Sequence, residues 1–500
     1  MVGYASSMKR QRSRNPSSPL VLAIDIGTSS LRTALFDADA RRIIRTTAQQ
    51  AYLLRVTPDG GAELSPQTLR QTFLRCFTRT LRSYRADRAL RSRPIIAVGT
   101  SCFWHSLLGT DENGRELTPI YTWADSRCRD DAARLRAEFS ERAVHARTGC
   151  MLRSSYWPAK LVWLRRTRPK LFARAAWWMS PAAWLHLELC DEAVCSYAMA
   201  SGTGLFDPST LQWDAEMLKR CHISPRMLNP LADWPVLMSA RSVRRFPELR
   251  DALLLPAIGD GAAGNLGSGA ASTSLAALNC GTSAAIRVMR RAAHARAPFG
   301  LFCYRVDAER VLIGGAVSNA GNLHAWCLRE LNLPNDEAEL ERAMATPPKP
   351  ERGLTVLPFW VDERAPTWPE DLRGTIVGLT QSTSALDMLR ATREAVYHRL
   401  AQIAELLPAR RFIVSGGVQK SRANLQLLAD VLGRKLIVCS EPEASLRGAA
   451  VYALEKLGVT VPPPLAGRLI RPRLRFLRQY ATARQRQERL EKVANRFAIV

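Results

Sequence analysis

The sequence predicts an α/β chain folded as two similar lobes that face each other across a cleft. Three observations carry that reading. The chain has 500 residues, which at roughly 100–200 residues per domain means two or three domains. Its strand-like segments fall in two blocks, one near the N-terminus and one beginning near Leu253, separated by a helical stretch over 126–250 that is rich in Trp and Arg. A strand–Asp25-Ile26-Gly27-Thr28-Ser29–strand unit in the first block is echoed by strand–Cys280-Gly281-Thr282-Ser283–strand in the second, the signature of an internal duplication.

The first block opens with the apolar run Leu20 to Asp25, turns at Gly27-Thr28-Ser29, and continues as strands over Leu31 to Phe36 and Arg41 to Thr47. Together these read as an antiparallel meander. Ser65-Pro66 gives a cap and a first-turn proline to a helix over Ser65 to Arg85. Pro94 to Gly99 is a buried strand, and Asp111-Glu112-Asn113-Gly114 is a hairpin turn. The second block holds strands at Leu253 to Ile258, Leu275 to Asn279, Ala284 to Val288, Val311 to Gly315, Arg411 to Ser415 and Lys435 to Cys439. Helical spacing marks Ser384 to Leu407, Asn424 to Leu432 and Glu443 to Leu457, and Pro462-Pro463-Pro464 closes the block.

Composition excludes several classes. Hydrophobic residues are 47% and charged residues 23%, ordinary for a folded chain and wrong for a disordered or fibrous one. No apolar run approaches the ~18–20 residues of a bilayer span. The eleven cysteines form no CxxC pair, which points to reduced thiols and the cytoplasm. Met1 to Pro19 lacks the apolar core of a secretion signal. The net charge of +26 is concentrated at the ends. Residues 1–18 carry Lys9, Arg10, Arg12 and Arg14 and no acid, and read as a basic, disordered extension. Residues 462–500 read as a basic amphipathic tail, in which Leu474, Leu477, Tyr480, Ala481, Leu490, Val493 and Phe497 recur near helical spacing. The tail stripe is expected to dock on the second lobe or a second subunit, so a homodimer is possible; contact of the cationic face with nucleic acid or an anionic membrane is the less favoured outcome.

The two Gly-Thr-Ser turns bring backbone N–H groups and hydroxyls to tight bends that suit phosphate, glycine allowing close approach. Asp25 beside the first turn would repel a bare phosphate and makes sense as a holder of Mg²⁺; an ordinary β-turn with a hydrogen-bonded Asp is the alternative. Asp260 ends a buried strand between Gly259 and Gly261. It suits a base that takes the proton of an attacking hydroxyl, or else an N-cap of the helix that follows. His105, Trp123, Asp125 and Arg127 lie on a polar stretch able to bind sugar hydroxyls and a sugar face, although a lone His or Trp is more often core. The strand leading to Gly416-Gly417, followed by Ser421, suits a flat base lying against glycine backbone.

Taken together, these segments resemble the FGGY family of carbohydrate kinases over about residues 20–460. Asp25 to Arg32 resembles its first phosphate motif, Cys280 to Ser283 its second, and Gly259-Asp260-Gly261 with Gly264 and Gly267 the segment of the catalytic Asp. Ser415 to Ser421, Ala429 to Gly433 and Ala444 to Ala450 resemble its adenosine motif, and Glu363-Arg364-Ala365-Pro366 another recurrent segment. Within the family, Trp104-His105-Ser106 and Thr122 to Arg127 resemble gluconokinases most, with xylulokinases next; Trp104 departs by standing where a smaller residue precedes the His.

The resemblance implies the actin-like ATPase (ribonuclease H-like) fold, with an N-terminal lobe over 19–252 and a C-terminal lobe over 253–461. It implies ATP and Mg²⁺, the metal near Asp25 and Asp260, and Asp260 as the general base acting on a primary hydroxyl of a sugar or sugar acid, gluconate foremost. Thr28, Ser29, Ser30, Arg32, Gly281 and Thr282 would contact phosphates, and Gly321, Gly417 and Ser421 would lie near the nucleoside. His105, Trp123, Asp125 and Asp260 would bind substrate, and a substrate carboxylate needs a cation, for which Arg127 and Arg153 are the expected residues. A pentulose kinase is the alternative, and a non-catalytic nucleotide-binding switch with a basic tail is the alternative of a different class.

Overall fold

The computed structural model describes residues 18–346 and 353–496. The expected disordered extension lies outside the described residues except for Ser18, and so does Phe497.

The first sheet starts with β1 (Leu20–Ile26), antiparallel to β2 (Ser30–Phe36), which is antiparallel to β3 (Ala48–Ala51). The third strand therefore begins where the sequence predicts it to end. Ile44–Thr46 is instead a 3₁₀ turn, fixed by the Thr46 hydroxyl, which donates to the Ile43 carbonyl (2.7 Å) and accepts from the Leu35 N–H (2.9 Å). Helix α1 (Pro66–Ala86) is capped by the Ser65 hydroxyl and lays Leu69, Phe73, Phe77 and Leu81 on the sheet. That spacing is the apolar stripe of an amphipathic helix. Strand β4 (Ile95–Cys102) runs parallel to β1 on its other side.

Beyond the helical stretch, β5 (Val236–Leu237), β6 (Leu253–Leu254) and β7 (Ile258–Gly259) complete this first sheet, in the order β5-β6-β4-β1-β2-β3 with β7 also on β4. Leu253 to Ile258, expected in the second block, thus belongs to the first sheet. Two short pairings, Leu253 with Ala97 and Ile258 with Ser101, split what the sequence presents as one apolar run. Helix α2 (Asp260–Ser268) leaves β7 directly.

The second sheet repeats the plan. It contains β8 (Leu275–Cys280), β9 (Ala284–Arg291), β10 (Phe302–Arg305) and β11 (Arg310–Val317). Helices α3 (Gly321–Glu330), α4 (Glu337–Ala345) and α5 (Ala385–Glu405) follow. Then come β12 (Arg411–Ser415), α6 (Arg422–Leu432), β13 (Lys435–Val438), α7 (Ala444–Lys456), the edge strand β14 (Leu469–Ile470) and α8 (Leu477–Arg496). The order is β10-β11-β9-β8-β12-β13-β14. Strands β11-β9-β8-β12-β13 match β3-β2-β1-β4-β6 in order and direction, two antiparallel steps and then two parallel ones. This is the two-lobed α/β architecture expected from the duplicated turn.

The lobes meet through α2 and α7. Helix α7 places Leu446, Ala449, Ala450 and Leu454 in the core of the first sheet. It crosses α2 so closely that a Cβ on Gly448 would sit 1.8 Å from the Ala263 carbonyl oxygen, and one on Gly267 1.7 Å from that of Ala444. Only glycine permits that approach at either position.

The tail docks on the second lobe through only part of the expected stripe, Tyr480 and Leu490. Leu474, Leu477 and Val493 are exposed; Tyr480, Gln487 and Glu491 are the buried residues of α8. Glu491 Oε2 accepts from Arg399 Nη1 on α5 at 2.9 Å, and Gln487 donates to the Ala395 carbonyl at 3.2 Å. Leu490 and Ala494 pack on Leu357, Phe359 and Leu372. No helix among the described residues is long and apolar enough to cross a membrane.

Candidate active site

The C-terminal ends of the paired strands deliver polar groups to the interlobe cleft. In the first turn the Gly27 N–H donates to the Ser30 carbonyl at 3.0 Å. Asp25, one residue before the end of β1, is opposite Arg32 in the β1–β2 register and Ser101 in the β1–β4 register. Its carboxylate accepts from Ser101 Oγ at 2.9 Å and Arg32 Nη1 at 3.4 Å. Arg32 also pairs with Glu443 at 3.2 Å. Burial pushes the Asp25 carboxyl up to about 6 against the pull of Ser101 and Arg32, and the nearby Asp260 and Glu443 add to the rise. In the second turn the Gly281 N–H donates to the Ser283 carbonyl at 3.0 Å, and the carbonyls of Gly281 and Thr282 hold the first N–H groups of α3, from Gly321 and Asn322.

Asp260 is the first residue of α2, carried into the cleft by β7, and its Oδ1 accepts the Gly261 N–H at 2.7 Å. Half-buried in the cleft, its carboxyl is raised by loss of solvent, while Arg287 opposes the rise. Asp260 lines a cavity of about 230 Å³ together with Thr28, His105, Trp123, Arg287 and Arg364. His105 holds a left-handed backbone (φ 66°), and its Nδ1 faces the Gly202 carbonyl at 2.5 Å. A carbonyl only accepts, so Nδ1 carries the proton and Nε2 is left as an acceptor. Burial holds this imidazole neutral, down to about 3. Trp123 Nε1 donates to Thr28 Oγ1 at 3.2 Å, and Arg364 lies over the Trp123 ring at 5.3 Å.

Trp104, largely buried, forms part of the wall of this cavity, its Nε1 donating to the Ala198 carbonyl at 2.9 Å. The ring lies so near the strand before Asp260 that a Cβ on Gly259 would come within 1.8 Å of it. The large side chain is thus accommodated by glycine in the neighbouring strand.

Not every expected residue reaches this cavity. Asp125 does not line it; its carboxylate accepts the Ala62 N–H at 3.1 Å and binds Arg127 with both oxygens. Arg127 is committed to Asp125 and to Glu63 (2.6 Å), and stacks on Trp163 at 4.8 Å. Arg153 is committed to Glu141 and Glu370. The cations that do line the cavity are Arg287 and Arg364. Arg287 makes no side-chain hydrogen bond or ion pair within 4.0 Å among the described residues, and its residual interaction is with Asp260. Arg364 donates from Nε to Ser318 Oγ at 3.1 Å and from Nη2 to the Val317 carbonyl at 3.2 Å. The alternation of β9 past the Gly281 turn was the sequence signal for Arg287, and the segment Glu363 to Pro366 contains Arg364.

A larger cavity of about 1210 Å³ lies on the second lobe and is lined by Gly281, Thr282, Gly321, Gly417 and Ser421. Glu341, Arg393 and Tyr397 also line it, unanticipated from the sequence. The Ser421 hydroxyl is engaged: it accepts the Asn424 N–H at 3.0 Å as the cap of α6 and donates to Glu341 at 2.6 Å. Asp25, Ser29, Ser30 and Arg32 line neither cavity.

Among the described residues no three His, Cys, Asp or Glu side chains gather as a metal site. Two carboxylates with raised affinity for protons, buried Asp25 and half-buried Asp260, nonetheless form a negative pair that a divalent cation would relieve. Mg²⁺ is commonly held by one or two carboxylates with waters and nucleotide oxygens, so these residues fit it.

Two facing lobes, two phosphate-type turns, a large cavity on one lobe and a carboxylate-bearing cavity beside it define a phosphotransferase cleft. The chain belongs to the FGGY family of carbohydrate kinases: residues 20–234 match the family's N-terminal domain and 276–455 its C-terminal domain. It is accordingly a carbohydrate kinase, of a family that uses ATP as phosphate donor. Over 462 residues, 88% of each chain, it is 28% identical to a gluconokinase of Bacillus subtilis (strain 168). Its fold matches a gluconate kinase from Lactobacillus acidophilus (TM-score 0.87, 24% identity, 97% of this chain and 99% of that one). A xylulose kinase from the same organism matches as well (TM-score 0.87, 24% identity, 95% and 98%).

Proposed function

We propose that the protein transfers the γ-phosphoryl group of ATP to the 6-hydroxyl of gluconate, giving 6-phosphogluconate and ADP. The observation that carries the choice of a sugar acid is the charge of the smaller cavity. Two cations, Arg287 and Arg364, line it against one carboxylate, Asp260. A neutral sugar leaves that imbalance buried, whereas a substrate carboxylate cancels it. Arg287 acts on Asp260 electrostatically, with no ion pair within 4.0 Å, and Arg364 is the residue assigned to the gluconate carboxylate. The likeness to gluconokinases supports the same reading.

In this account the sugar acid lies with its carboxylate toward Arg364 and its 6-hydroxyl toward Asp260. Neutral His105 accepts a hydrogen bond from a substrate hydroxyl through Nε2. Asp260 takes the proton of the 6-hydroxyl as its oxygen attacks phosphorus, and its raised carboxyl suits it to that exchange. Backbone N–H groups near Gly281 and Thr282 orient the phosphates. Asp25 and Asp260 would hold Mg²⁺, which would supply neutralisation of the phosphate charge. The walls of Trp104, Trp123 and Trp368 keep water, the competing acceptor, from the reacting oxygen.

Initial rates of ADP formation with gluconate, xylulose, ribulose, glycerol and fuculose test the substrate. The account expects the highest kcat/KM with gluconate, and expects Arg364→Gln to raise the gluconate KM about 10–100-fold, the worth of a charged hydrogen bond, with the ATP KM little changed. The xylulose kinase likeness makes xylulose the specific rival; a preference for xylulose that Arg364→Gln leaves intact would replace this reading with a pentulose kinase.

A further inference from the structure

A short segment of the second lobe, Asp362 to Glu370, reaches the first lobe beside the smaller cavity and gives that cavity Arg364 and Trp368. Both side chains lie against first-lobe residues. Arg364 sits over the Trp123 ring at 5.3 Å, and Trp368 lies under the Arg153 guanidinium at 5.7 Å. Trp368 holds a left-handed backbone (φ 52°), uncommon for a bulky residue and kept only where the surroundings impose it. Its N–H donates to the Arg364 carbonyl at 2.9 Å and its Nε1 to the Gly300 carbonyl at 2.9 Å. On the second-lobe side the middle of the segment is held by Arg399, whose Nη2 donates to the Ala365 carbonyl at 3.0 Å, and by Glu491, which accepts from the Thr367 hydroxyl.

Ion pairs fasten the two ends of the segment to the first lobe. Arg129 and Arg136 are about two turns apart on the helix Arg129–Glu138 and so share a face. Arg129 pairs with Asp362, and Arg136 Nη2 donates to Glu370 Oε2 at 2.5 Å. Glu370 Oε1 stands 3.2 Å from Arg153 Nε. The two ends differ in their access to water. The side chains of Arg129 and Asp362 are both 37% exposed, whereas those of Glu370 and Arg153 are 13% and 10% exposed. An open pair contributes little, while a shielded carboxylate shared by two guanidinium groups is firmly held. Arg153, which pairs with Glu370, is also the cation that covers Trp368.

We propose that Glu370 is a positioning residue for the sugar. Shared between Arg136 and Arg153, it clasps the second-lobe segment to the first lobe and fixes where Arg364 and Trp368 stand in the cavity wall. The proposal rests on the smaller cavity being the sugar site. Glu370 itself lines neither cavity, so its effect passes through the two residues that do. The clasp is the same before and during phosphoryl transfer. It therefore strengthens substrate and transition-state binding alike, which lowers the sugar KM without raising kcat. No residue of the segment lines the larger cavity, so the ATP KM is independent of it.

Steady-state kinetics of Glu370→Gln, which keeps the shape and removes the charge, tests this. Arg153 keeps Glu141 at 2.6 Å and Arg136 keeps the Leu152 carbonyl at 2.8 Å, so neither cation loses its last acceptor. The sugar is whichever member of the panel above gives the wild type its highest kcat/KM, so the result does not depend on its being gluconate. The expected result is a sugar KM raised roughly 5–30-fold, with kcat within about twofold of wild type and the ATP KM unchanged. Arg136→Gln gives the same split, and the double variant raises the KM by less than the product of the single rises, because the two act through one contact. A merely structural role lowers the active fraction, and so kcat, at unchanged KM. That outcome, an unchanged sugar KM, equal rises in the sugar and ATP KM, or a double variant at the full product each overturns the proposal. Should Glu370→Gln melt below the assay temperature, Arg136→Gln is read alone by the same KM and kcat criteria. Arg364→Gln, measured beside them, separates the two readings. Sugar affinity lost there but not in Glu370→Gln strikes the clasp alone; affinity lost in neither strikes the assignment of the cavity as well.

Discussion

Asp25 shows what the site costs the fold. Its carboxylate is buried, and its proton affinity is raised from the ordinary 3.8 to about 6. A carboxyl raised in the folded state binds protons more tightly there than in the unfolded chain. Its contribution therefore favours folding at low pH and is lost as pH rises from about 4 to 6. At neutral pH the charged form is a strain of ~1–3 kcal/mol. Asp25→Asn, which keeps an acceptor for Ser101, is expected to melt higher than wild type at pH 8, with the gap closing toward pH 4, while phosphoryl transfer is lost. Thermal denaturation at the two pH values checks this; an equal or lower melting point at pH 8 would show that Asp25 is not strained. At this scale the sequence marked Asp25, Asp260 and His105 as candidates, Asp260 because a short acid between two glycines at a strand end has few structural uses, and of the three Asp260 and His105 line the smaller cavity. It did not reveal that Asp125 is consumed by Arg127 two residues on, nor that Arg287 is the cation without a partner. Both depend on which way a side chain turns once neighbouring strands and helices are in place.

Among elements, α8 is the instructive one. Helical spacing correctly marked the segment as a helix, and the charge pattern suggested an apolar stripe. Tyr480 and Leu490 of that stripe do pack on the lobe, but the other buried positions, Gln487 and Glu491, are polar. The anchor is the fully buried Arg399, which Glu491 neutralises and whose Nη2 also holds the Ala365 carbonyl at 3.0 Å, next to Arg364 of the smaller cavity. Hydropathy cannot find a contact whose two sides are both charged. Removing one partner of a buried pair leaves an uncompensated charge, typically 3–5 kcal/mol. Glu491→Ala should therefore lower stability by about that amount in chemical denaturation, with Arg399→Met/Glu491→Leu recovering most of it. A loss below ~1 kcal/mol, the range of exposed pairs, would mean that α8 is a loosely held appendage.

At the scale of the whole molecule, the repeated five-strand order explains why two turns of like sequence end in one cleft. Each sheet directs its first hairpin toward the other, and α2 and α7, locked by Gly267 and Gly448, hold the two sheets together. The duplication was legible because the Gly-Thr-Ser turns survive in both halves. The strand after the long helical stretch was misplaced because a buried apolar run carries no mark of which sheet it will join. Lobe approach would bring the larger cavity, the proposed nucleotide site, to Asp260, and that convergence is the central claim. The rate of ATP-dependent gluconate phosphorylation by Asp260→Asn, measured beside its ATP affinity, tests it most directly. The account predicts a fall of order 10²–10⁴ in kcat with ATP binding retained; turnover near that of the wild type, in a variant of unchanged melting temperature, would contradict it.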